Sequence, residues 1–371
     1  MTEQGDLQWI DETHWTWTPF AGIAEGDHSY TAQVIDGNGG EGKASDNGVA
    51  NADGSTTTGY DIYLDTTPPE QEAFIDTVND DVGQVQGDIG DGGITDDTRP
   101  IFNGHIDKIL DSKSGEELHI FEIDANGQMI DVTELGDLKW DDETHWQWTP
   151  FDDLGEGAHH YVAQVMDANG LVGKASTDEN LANPDDTLGY DIYLDTTPPD
   201  QEVFIDEIID NAGTVQGDIG DEGLTDDAIP VIHGHLDKAL DSKAKEELHI
   251  FDKDTKGNTI DVTEDGTFTW DADGKNWTWT PDAALAEGQH SYTAQVMDGN
   301  ELVGKASENG VADADGTTGY DIYLDTTPPD QKVFIDEIID DEGLNIKFRY
   351  IEIQGDATKR FFPGNHYLTA N

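Results

Sequence analysis

The sequence contains no cysteine, so disulfide bonds do not stabilise its folded parts. That absence suits either an intracellular protein or a secreted one that relies on bound metal. No apolar run approaches the ~18 residues of a membrane-spanning helix, and Met1 opens no signal-peptide pattern. Met1 falls in the middle of a repeated pattern, so we expect the chain to be a fragment, and the missing signal leaves its localisation open.

Basic residues are scarce: 18 Lys and Arg face 81 Asp and Glu, for a formal net charge of −63. Nucleic acids and anionic membranes bind basic surfaces, so both are excluded as partners. A chain with this imbalance must offset strong self-repulsion when it folds, through bound divalent cations or high external salt. Hydrophobic residues still make up 35 % of the chain, with nine tryptophans among them, which argues against disorder.

The most regular feature is the segment DIYLDTTPP, which occurs at residues 61–69, 191–199 and 321–329. Successive copies are 130 residues apart, a period longer than the ~20–50 residues of solenoid repeats. It matches the ~100–150 residues of an independent domain. The sequence therefore predicts an array of tandem domains, each large enough to bury its own core.

Each period consists of short runs such as PIFNGHID, ELHIFEID and HHYVAQVMD, separated by Gly, Asp and Asn turns. About seven strands with almost no helical periodicity predict an all-β fold of tandem Ig-like antiparallel β-sandwich domains in an extended array. The Asn-Gly pair of residues 126–127 favours a type I′ hairpin turn, and residues 107–117 favour a loop or a single turn over a helix.

This pattern divides the chain into four parts. Residues 66–195 and 196–325 are predicted to be complete domains. Residues 1–65 hold only the second half of the pattern, and a sandwich without its first strands exposes sheet edges. Residues 326–371 start a further repeat in register, but beyond about residue 343 they no longer match it and contain two of the three arginines, Arg349 and Arg360. We expect that divergent tail to be non-native or disordered.

All nine tryptophans lie in one element of the repeat. Within its WxWTP motif the two tryptophans are two residues apart, so on a strand they share a face. That face is either an aromatic platform for sugar rings or the core of the sandwich, closed by the tyrosines of GYDIYLD. We favour the core, because every copy of a repeat needs its bulky core residues.

No set of nucleophile, base and orienting residue is recognisable, so the sequence predicts no enzyme. The HGH of residues 233–235 reads NGH one period earlier. Half of that histidine pair is therefore absent from the preceding repeat, and a transition-metal site there is disfavoured against ordinary strand histidines.

Each complete repeat carries a dense acidic, glycine-rich segment after its first strand. In the first complete repeat its acids are Asp80, Asp81, Asp88, Asp91, Asp96 and Asp97, and in the next they are Asp210, Asp218, Asp221, Asp226 and Asp227. Ca²⁺ takes ~6–8 oxygen ligands at ~2.3–2.6 Å, and glycines let a chain wrap tightly enough to supply them. The composition therefore predicts Ca²⁺ as the cofactor.

The spacing of these acids is neither that of an EF-hand loop nor that of the glycine-rich nonapeptide of calcium-binding β-helices. The calcium prediction therefore depends on composition and recurrence. The alternative is a solvated acidic loop on a salt-adapted scaffold that binds no specific ion.

Several motifs together resemble one family. LDTTPP before a strand, DD-x-G, GDI-x-D-x-G-x-TDD-x-x-P and W-x-WTP followed by L-x-EG-x-H-x-Y-x-AQV-x-D are similar to the bacterial Ig-like domains of large secreted RTX-type and biofilm-associated surface adhesins. The resemblance covers residues 1 to about 343. It implies an Ig-like spacer, Ca²⁺ at the domain junctions that stiffens the array, and export by a type I system to the cell surface.

The resemblance also nominates junction ligands. It pairs Asp65 with Asp80 and Asp81, Asp195 with Asp210, and Asp325 with Asp340 and Asp341. Asn211 replaces an aspartate in the third repeat, so we expect a weaker site there. If the strand order is Ig-like, the aspartate that ends AQV-x-D lies at the same end of the domain, which adds Asp36, Asp167 and Asp298.

The sequence thus predicts a spacer segment of a bacterial cell-surface adhesin, stiffened by Ca²⁺ and supporting adhesion or biofilm formation. The predicted partners are the neighbouring Ig-like domains of the same chain and, through distal domains, a host or biofilm surface. We expect a monomeric array without membrane insertion. The alternatives are a carbohydrate-binding module that uses the tryptophan strand, or the salt-adapted scaffold.

Overall fold

A computed structural model describes residues 4–50, 56–176, 189–253, 257–307 and 319–330, and the strand segments 332–335, 338–340, 346–348 and 351–354. The chain divides into two compact units. The first comprises Met1–Pro199, Asp241–Glu247 and Met297–Gly304, and the second comprises Asp200–Leu240, Leu248–Val296 and Lys305–Asn371. Within the described part of the chain, no helix has the length and apolarity needed to cross a lipid bilayer.

In the first unit, residues 73–194 form two five-stranded sheets. Their strands are β7 (Ala73–Asp80), β8 (Gly87–Asp88), β9 (Gly93–Thr95), β10 (Ile101–Ile106), β11 (Glu117–Ile123), β12 (Met129–Asp131), β13 (Gly136–Trp140), β14 (His145–Pro150), β15 (Gly157–Met166) and β16 (Tyr190–Leu194). One sheet has the order β13-β14-β10-β7-β8 and the other β12-β11-β15-β16-β9. This is the two-sheet arrangement of an Ig-like sandwich, so the predicted all-β Ig-like fold class is confirmed.

The second unit contains a copy of the same sandwich. Its strands are β17 (Val203–Asp210), β18 (Gly217–Asp218), β19 (Gly223–Thr225), β20 (Val231–Leu236), β21 (Glu247–Lys253), β22 (Thr259–Asp261), β23 (Gly266–Trp270), β24 (Asn276–Pro281), β25 (Gly288–Met297) and β26 (Tyr320–Leu324). The sheet orders are β18-β17-β20-β24-β23 and β19-β26-β25-β21-β22. Every pairing of the preceding sandwich thus has its counterpart 130 residues later.

The first 65 residues form three two-stranded sheets, β1-β2, β3-β6 and β4-β5. The strands are β1 (Gly5–Trp9), β2 (Trp15–Pro19), β3 (Gly26–Tyr30), β4 (Asp46–Ala50), β5 (Thr56–Thr58) and β6 (Tyr60–Leu64). Trp15 is 45 % exposed, whereas Trp146 at the matching position of the next repeat is 1 % exposed. The apolar face of this half pattern is therefore open, as the missing first strands predict.

After Asp325 the described backbone forms two strand pairs. They join β27 (Lys332–Ile335) to β30 (Ile351–Gln354) and β28 (Ile338–Asp340) to β29 (Ile346–Phe348). Arg349, Arg360 and residues 355–371 lie outside the described residues, so the expectation of a non-native or disordered tail stays a prediction.

The tryptophan pairs build the cores. Trp146 and Trp148 are 1 % exposed, and Trp277 and Trp279 are 2 % and 1 % exposed. Phe102 packs edge-on against Trp148, with 5.3 Å between ring centroids, and the Trp148 indole N–H donates to the carbonyl of Thr133 at 3.1 Å. The core interpretation is confirmed for these four residues, and the WxWTP face of both complete sandwiches is closed to sugars.

Two glycines make room for these indoles. A Cβ on Gly104 would lie 2.2 Å from the Trp146 ring, and one on Gly136 would lie 2.4 Å from the Trp148 ring. Real carbon atoms do not approach this closely, so the recurring glycine of NGH and HGH is a steric requirement of the core.

Two local predictions meet the structure differently. Residues 107–116 form bends and turns, which confirms the predicted loop. The Asn-Gly hairpin is present between β11 and β12, but the type I′ turn is wrong, because Gly127 has φ 78° and Asn126 is not among the residues with positive φ. The Asp124 carboxylate accepts the N–H groups of Asn126 and Gln128 at 2.9 and 2.8 Å, which favours a longer loop.

Candidate metal centre

Each LDTTPP linker is fixed by two carboxylates. Asp65 accepts hydrogen bonds from the N–H and hydroxyl of Thr67 at 3.0 and 2.9 Å. The N–H of Thr66 donates to Glu25 at 3.1 Å, and its hydroxyl donates to the same carboxylate. Glu25 belongs to the L-x-EG motif, whose part in holding the linker the sequence reading missed. A glutamate that recurs with the same period as the linker threonines was the available signal.

Asp65 is held as an anion. Hydrogen bonds from the Ser114 hydroxyl and from Thr67 keep the pKa of the Asp65 carboxyl below its ordinary value. The Asn169 amide donates to the backbone carbonyl of Asp65 at 3.3 Å. Asn169 follows Asp167, so the aspartate that ends AQV-x-D lies beside the linker acid that precedes its own sandwich.

The next linker acid, Asp195, connects two groups of acids within the first unit. Its N–H donates to the carbonyl of Thr95 at 2.9 Å, and its carbonyl accepts the Asn300 amide at 2.9 Å. Thr95 is followed by Asp96 and Asp97, and Asn300 follows Asp298. The backbone of Asp195 is therefore bonded both to the TDD acids of its own repeat and to the AQV-x-D loop of the following repeat.

The acids beside Thr95 are partly withdrawn from water. Asp80 and Asp97 are 6 % and 4 % exposed. Asp80 accepts the Thr95 hydroxyl at 2.5 Å and the Val82 N–H at 2.9 Å. Asp97 accepts the Arg99 N–H at 2.8 Å and the Asp81 N–H at 3.4 Å. Two carboxylates are thus held almost fully buried by fixed N–H and hydroxyl donors.

Gly83 opens the space for the third carboxylate. Its φ is 66°, and a Cβ there would lie 2.2 Å from an oxygen of Asp96. The glycine of DD-x-G therefore serves the close approach of Asp96 as well as the turn. Asp81, Asp96 and Asp97 line a hollow of about 400 Å³ together with Arg99, whose guanidinium is 3.6 Å from Asp153.

Asp298 reaches this region from the following repeat. It is 6 % exposed, and its Oδ1 accepts the N–H groups of Asn300 and Leu302 at 2.9 Å. Its Oδ2 is buried and has no hydrogen-bond partner among the described residues, and the same holds for Asp96 Oδ1 and Asp167 Oδ2. A buried carboxylate oxygen without a partner costs about 1–3 kcal/mol or more, which a bound cation would offset.

The electrostatics agree with the geometry. Burial raises the pKa of Asp96, and the negative charges of Asp80 and Asp298 raise it further. Burial also raises the pKa of Asp298, with a contribution from Asp195. These four acids therefore experience one another's charge, and each disfavours the ionisation of its neighbours.

The second unit repeats half of this arrangement. Asp210 and Asp227 are 7 % and 4 % exposed. The Thr225 hydroxyl donates to Asp210 at 2.7 Å, and the Asp325 N–H donates to the Thr225 carbonyl at 3.0 Å. Asp226 fills the space at Gly213 as Asp96 does at Gly83. Asn211 keeps the backbone contact of Asp81, since its N–H donates to Asp227 at 2.9 Å.

Four of the predicted ligands lie elsewhere. Asp88 accepts the Tyr190 hydroxyl at 3.5 Å, and Asp91 accepts the Asp191 N–H at 2.7 Å. Both therefore lie at the start of β16, four to five residues, or roughly 15 Å, before Asp195. Asp218 and Asp221 make the same contacts to Tyr320 and Asp321 at 3.2 and 2.8 Å. The acidic segment is thus divided into two groups, and only one of them lies near the linker acid.

The predicted pairing of Asp65 with Asp80 and Asp81, and of Asp195 with Asp210, is wrong. Strand β7 has eight residues and carries the chain about 26 Å from one end of the sandwich to the other. Asp80 therefore lies beside the linker acid that ends its own repeat. The group that forms is Asp80, Asp96, Asp97 and Asp195 with Asp298.

The last predicted pairing stays a prediction. Asp341 lies outside the described residues, and Asp340 is placed only as the last residue of β28. In the described ranges, no three His, Cys, Asp or Glu side chains converge into a finished metal centre. The acids are grouped by burial and charge, with their oxygens not yet gathered around one point.

Comparisons with known proteins add little. No protein-family model matches the sequence, and no curated protein does. Among solved structures, the chain is similar to the fibronectin(III)-like modules of Clostridium thermocellum CbhA, with 10 % identity and a TM-score of 0.29 over 67 % of this chain and 93 % of that one.

Proposed function

We propose that this chain is a spacer segment of a bacterial cell-surface adhesin, in which tandem Ig-like domains bounded at residues 66–195 and 196–325 are stiffened by Ca²⁺. The observation that carries the proposal is the group of buried carboxylates around Asp195, with unpartnered oxygens on Asp96 and Asp298. The adhesin assignment is supported by the motif resemblance. In this role the chain holds a distal binding domain away from the cell and performs no chemistry.

The residues present suit Ca²⁺. Carboxylate oxygens of Asp80, Asp96, Asp97, Asp195 and Asp298 are hard ligands, and Gly83 allows a close approach. A bound dication would neutralise acids that repel one another and would join the linker to the loop that carries Asp298. Asp65 and Asp167 would hold the equivalent ion at the preceding linker, and Asp210, Asp226, Asp227 and Asp325 at the following one.

Calcium binding tests this assignment directly. In calorimetric titration of the full chain, Asp298→Asn should weaken one class of calcium sites at least about tenfold, because it removes one full negative charge from the ligand group. Asp88→Asn is the matched control: it removes an acid of the same segment that lies at the start of β16, and it should leave the titration unchanged. Equal losses in the two variants, or none in either, would reject the site.

A second test uses pH in the presence of a chelator. The folded pKa values of Asp96 and Asp298 are raised above the ordinary 3.8, so the folded state binds their protons more tightly. Their contribution to stability is complete below that pH and is lost as the pH rises through the folded values. Below pH 6.5, the ordinary value for histidine, we expect the metal-free chain to melt at a lower temperature as the pH increases.

With saturating calcium the trend should reverse, because protons compete with the metal for the same oxygens. Asp298→Asn should reduce both slopes, which separates its effect from that of every other carboxylate. Melting curves with the same slope in chelator and in calcium would contradict the proposal.

A further inference from the structure

A hollow on the first complete sandwich lies far from the acids discussed above. It lies between the free edge of β13 and the start of β11, beyond the end of the short strand β12, and has a volume of about 510 Å³. Small-molecule sites typically span ~300–1,000 Å³. The hollow is therefore large enough for an oligosaccharide fragment.

Its floor is apolar and its rim is acidic. Leu110, Leu138 and Trp140 line it; both leucines pack against the core, while Trp140 remains 37 % exposed. Glu117, Asp131 and Glu134 also line it, and neither Lys nor Arg does. Asp131 is fixed by the Thr133 N–H at 3.0 Å and by the His119 ring at 2.8 Å.

This combination selects a ligand. An exposed indole face binds a ring with apolar C–H groups or a cation above it. Three carboxylates on a chain of net charge −63 repel anionic sugars and attract ammonium groups. We propose that the hollow binds cationic amino-sugar oligomers, with one ring on Trp140 and its ammonium groups beside the acidic rim. This proposal is independent of the role of calcium.

The second sandwich provides a natural control. Its residues at the equivalent positions include Trp270, Asp261 and Glu264, but Phe268 replaces Leu138. The Phe268 ring is stacked on Trp270, with 5.9 Å between centroids and 25° between planes. One face of that indole is thus already occupied by the protein itself, and we assign amino-sugar binding to the first complete repeat alone.

The test is calorimetric titration of the full chain with the fully deacetylated glucosamine trimer at slightly acidic pH and about 0.15 M salt, which screens diffuse attraction. We expect one site per chain. Trp140→Ala and Leu138→Phe should each weaken binding about tenfold, whereas Trp270→Ala should not. Leu138→Phe installs the residue that the same fold already carries in the next repeat, and an unchanged melting temperature verifies its folding.

Two results would overturn the proposal. The N-acetylated trimer binding as tightly as the deacetylated one would show that the acidic rim selects nothing. Equal affinities for the wild type, Trp140→Ala and Leu138→Phe, or an equal loss in Trp270→Ala, would assign the heat to diffuse attraction between opposite charges.

Discussion

Calcium in excess raises the melting temperature of the 371-residue chain by roughly 10 °C over its value in chelator. An ion that binds only the folded state stabilises it by about 2.7 kcal/mol at 100 times its dissociation constant. The large response follows from what the ion replaces: Asp96, Asp97 and Asp298 are forced into ionisation against burial and against neighbouring charges.

The control is monovalent salt of matched ionic strength. Salt shortens the range of charge repulsion to about 8–10 Å, so it relieves the diffuse repulsion of a chain with net charge −63. It does not supply an oxygen ligand with a partner. We expect a smaller rise in salt than in calcium, and Mg²⁺ should fall between them because it gives up its water reluctantly.

The result that contradicts the calcium site is full recovery of stability in monovalent salt alone. That outcome would favour the salt-adapted scaffold, in which the acids serve solubility. Asp298→Asn gives an internal comparison, since it should reduce the response to calcium more than the response to salt.

Trp148→Ala destabilises its sandwich by about 3–5 kcal/mol, the usual range for deleting a large buried aromatic side chain. Trp148 is 1 % exposed, contacts Phe102 and Tyr161, and donates its N–H to Thr133. Domains are stable by only about 5–15 kcal/mol, so the loss is a large share of the total. Denaturant unfolding followed by circular dichroism measures it.

Trp140→Ala is the matched variant. Trp140 belongs to the same tryptophan element but is 37 % exposed at the sheet edge, and we expect a cost below about 1 kcal/mol. Trp279→Ala should reproduce the Trp148→Ala result in the second unit, because Trp279 is also 1 % exposed. If Trp148→Ala and Trp140→Ala cost the same, the packing described for the core is wrong.

Most of the fold was predictable because its signals are local. Alternation of two identifies the face of a strand, so Trp146 and Trp148 could be placed in the core. The 130-residue period then carried the same placement to Trp277 and Trp279. The strand order also followed, since an Ig-like sandwich assigns each strand of the repeat to one of two sheets.

The grouping of the acids was not predictable in the same way. Alternation says which face a side chain takes, but it does not say at which end of a sandwich a turn lies. Asp80 and Asp65 are 15 residues apart in sequence, yet β7 carries them to opposite ends. Asp80 and Asp195 are brought together by the pairing of β9 with β16, which only the folded chain reveals.

That pairing has a mechanical consequence. Strands β9 and β16 run parallel, with Gly93, Ile94 and Thr95 facing Ile192, Tyr193 and Leu194. A pull on the chain at Asp195 acts along β16 and loads all of these contacts in shear at the same moment. They cannot be opened one after another from an end, as the strands of a hairpin can. Each sandwich should therefore resist stretching abruptly and yield in a single step.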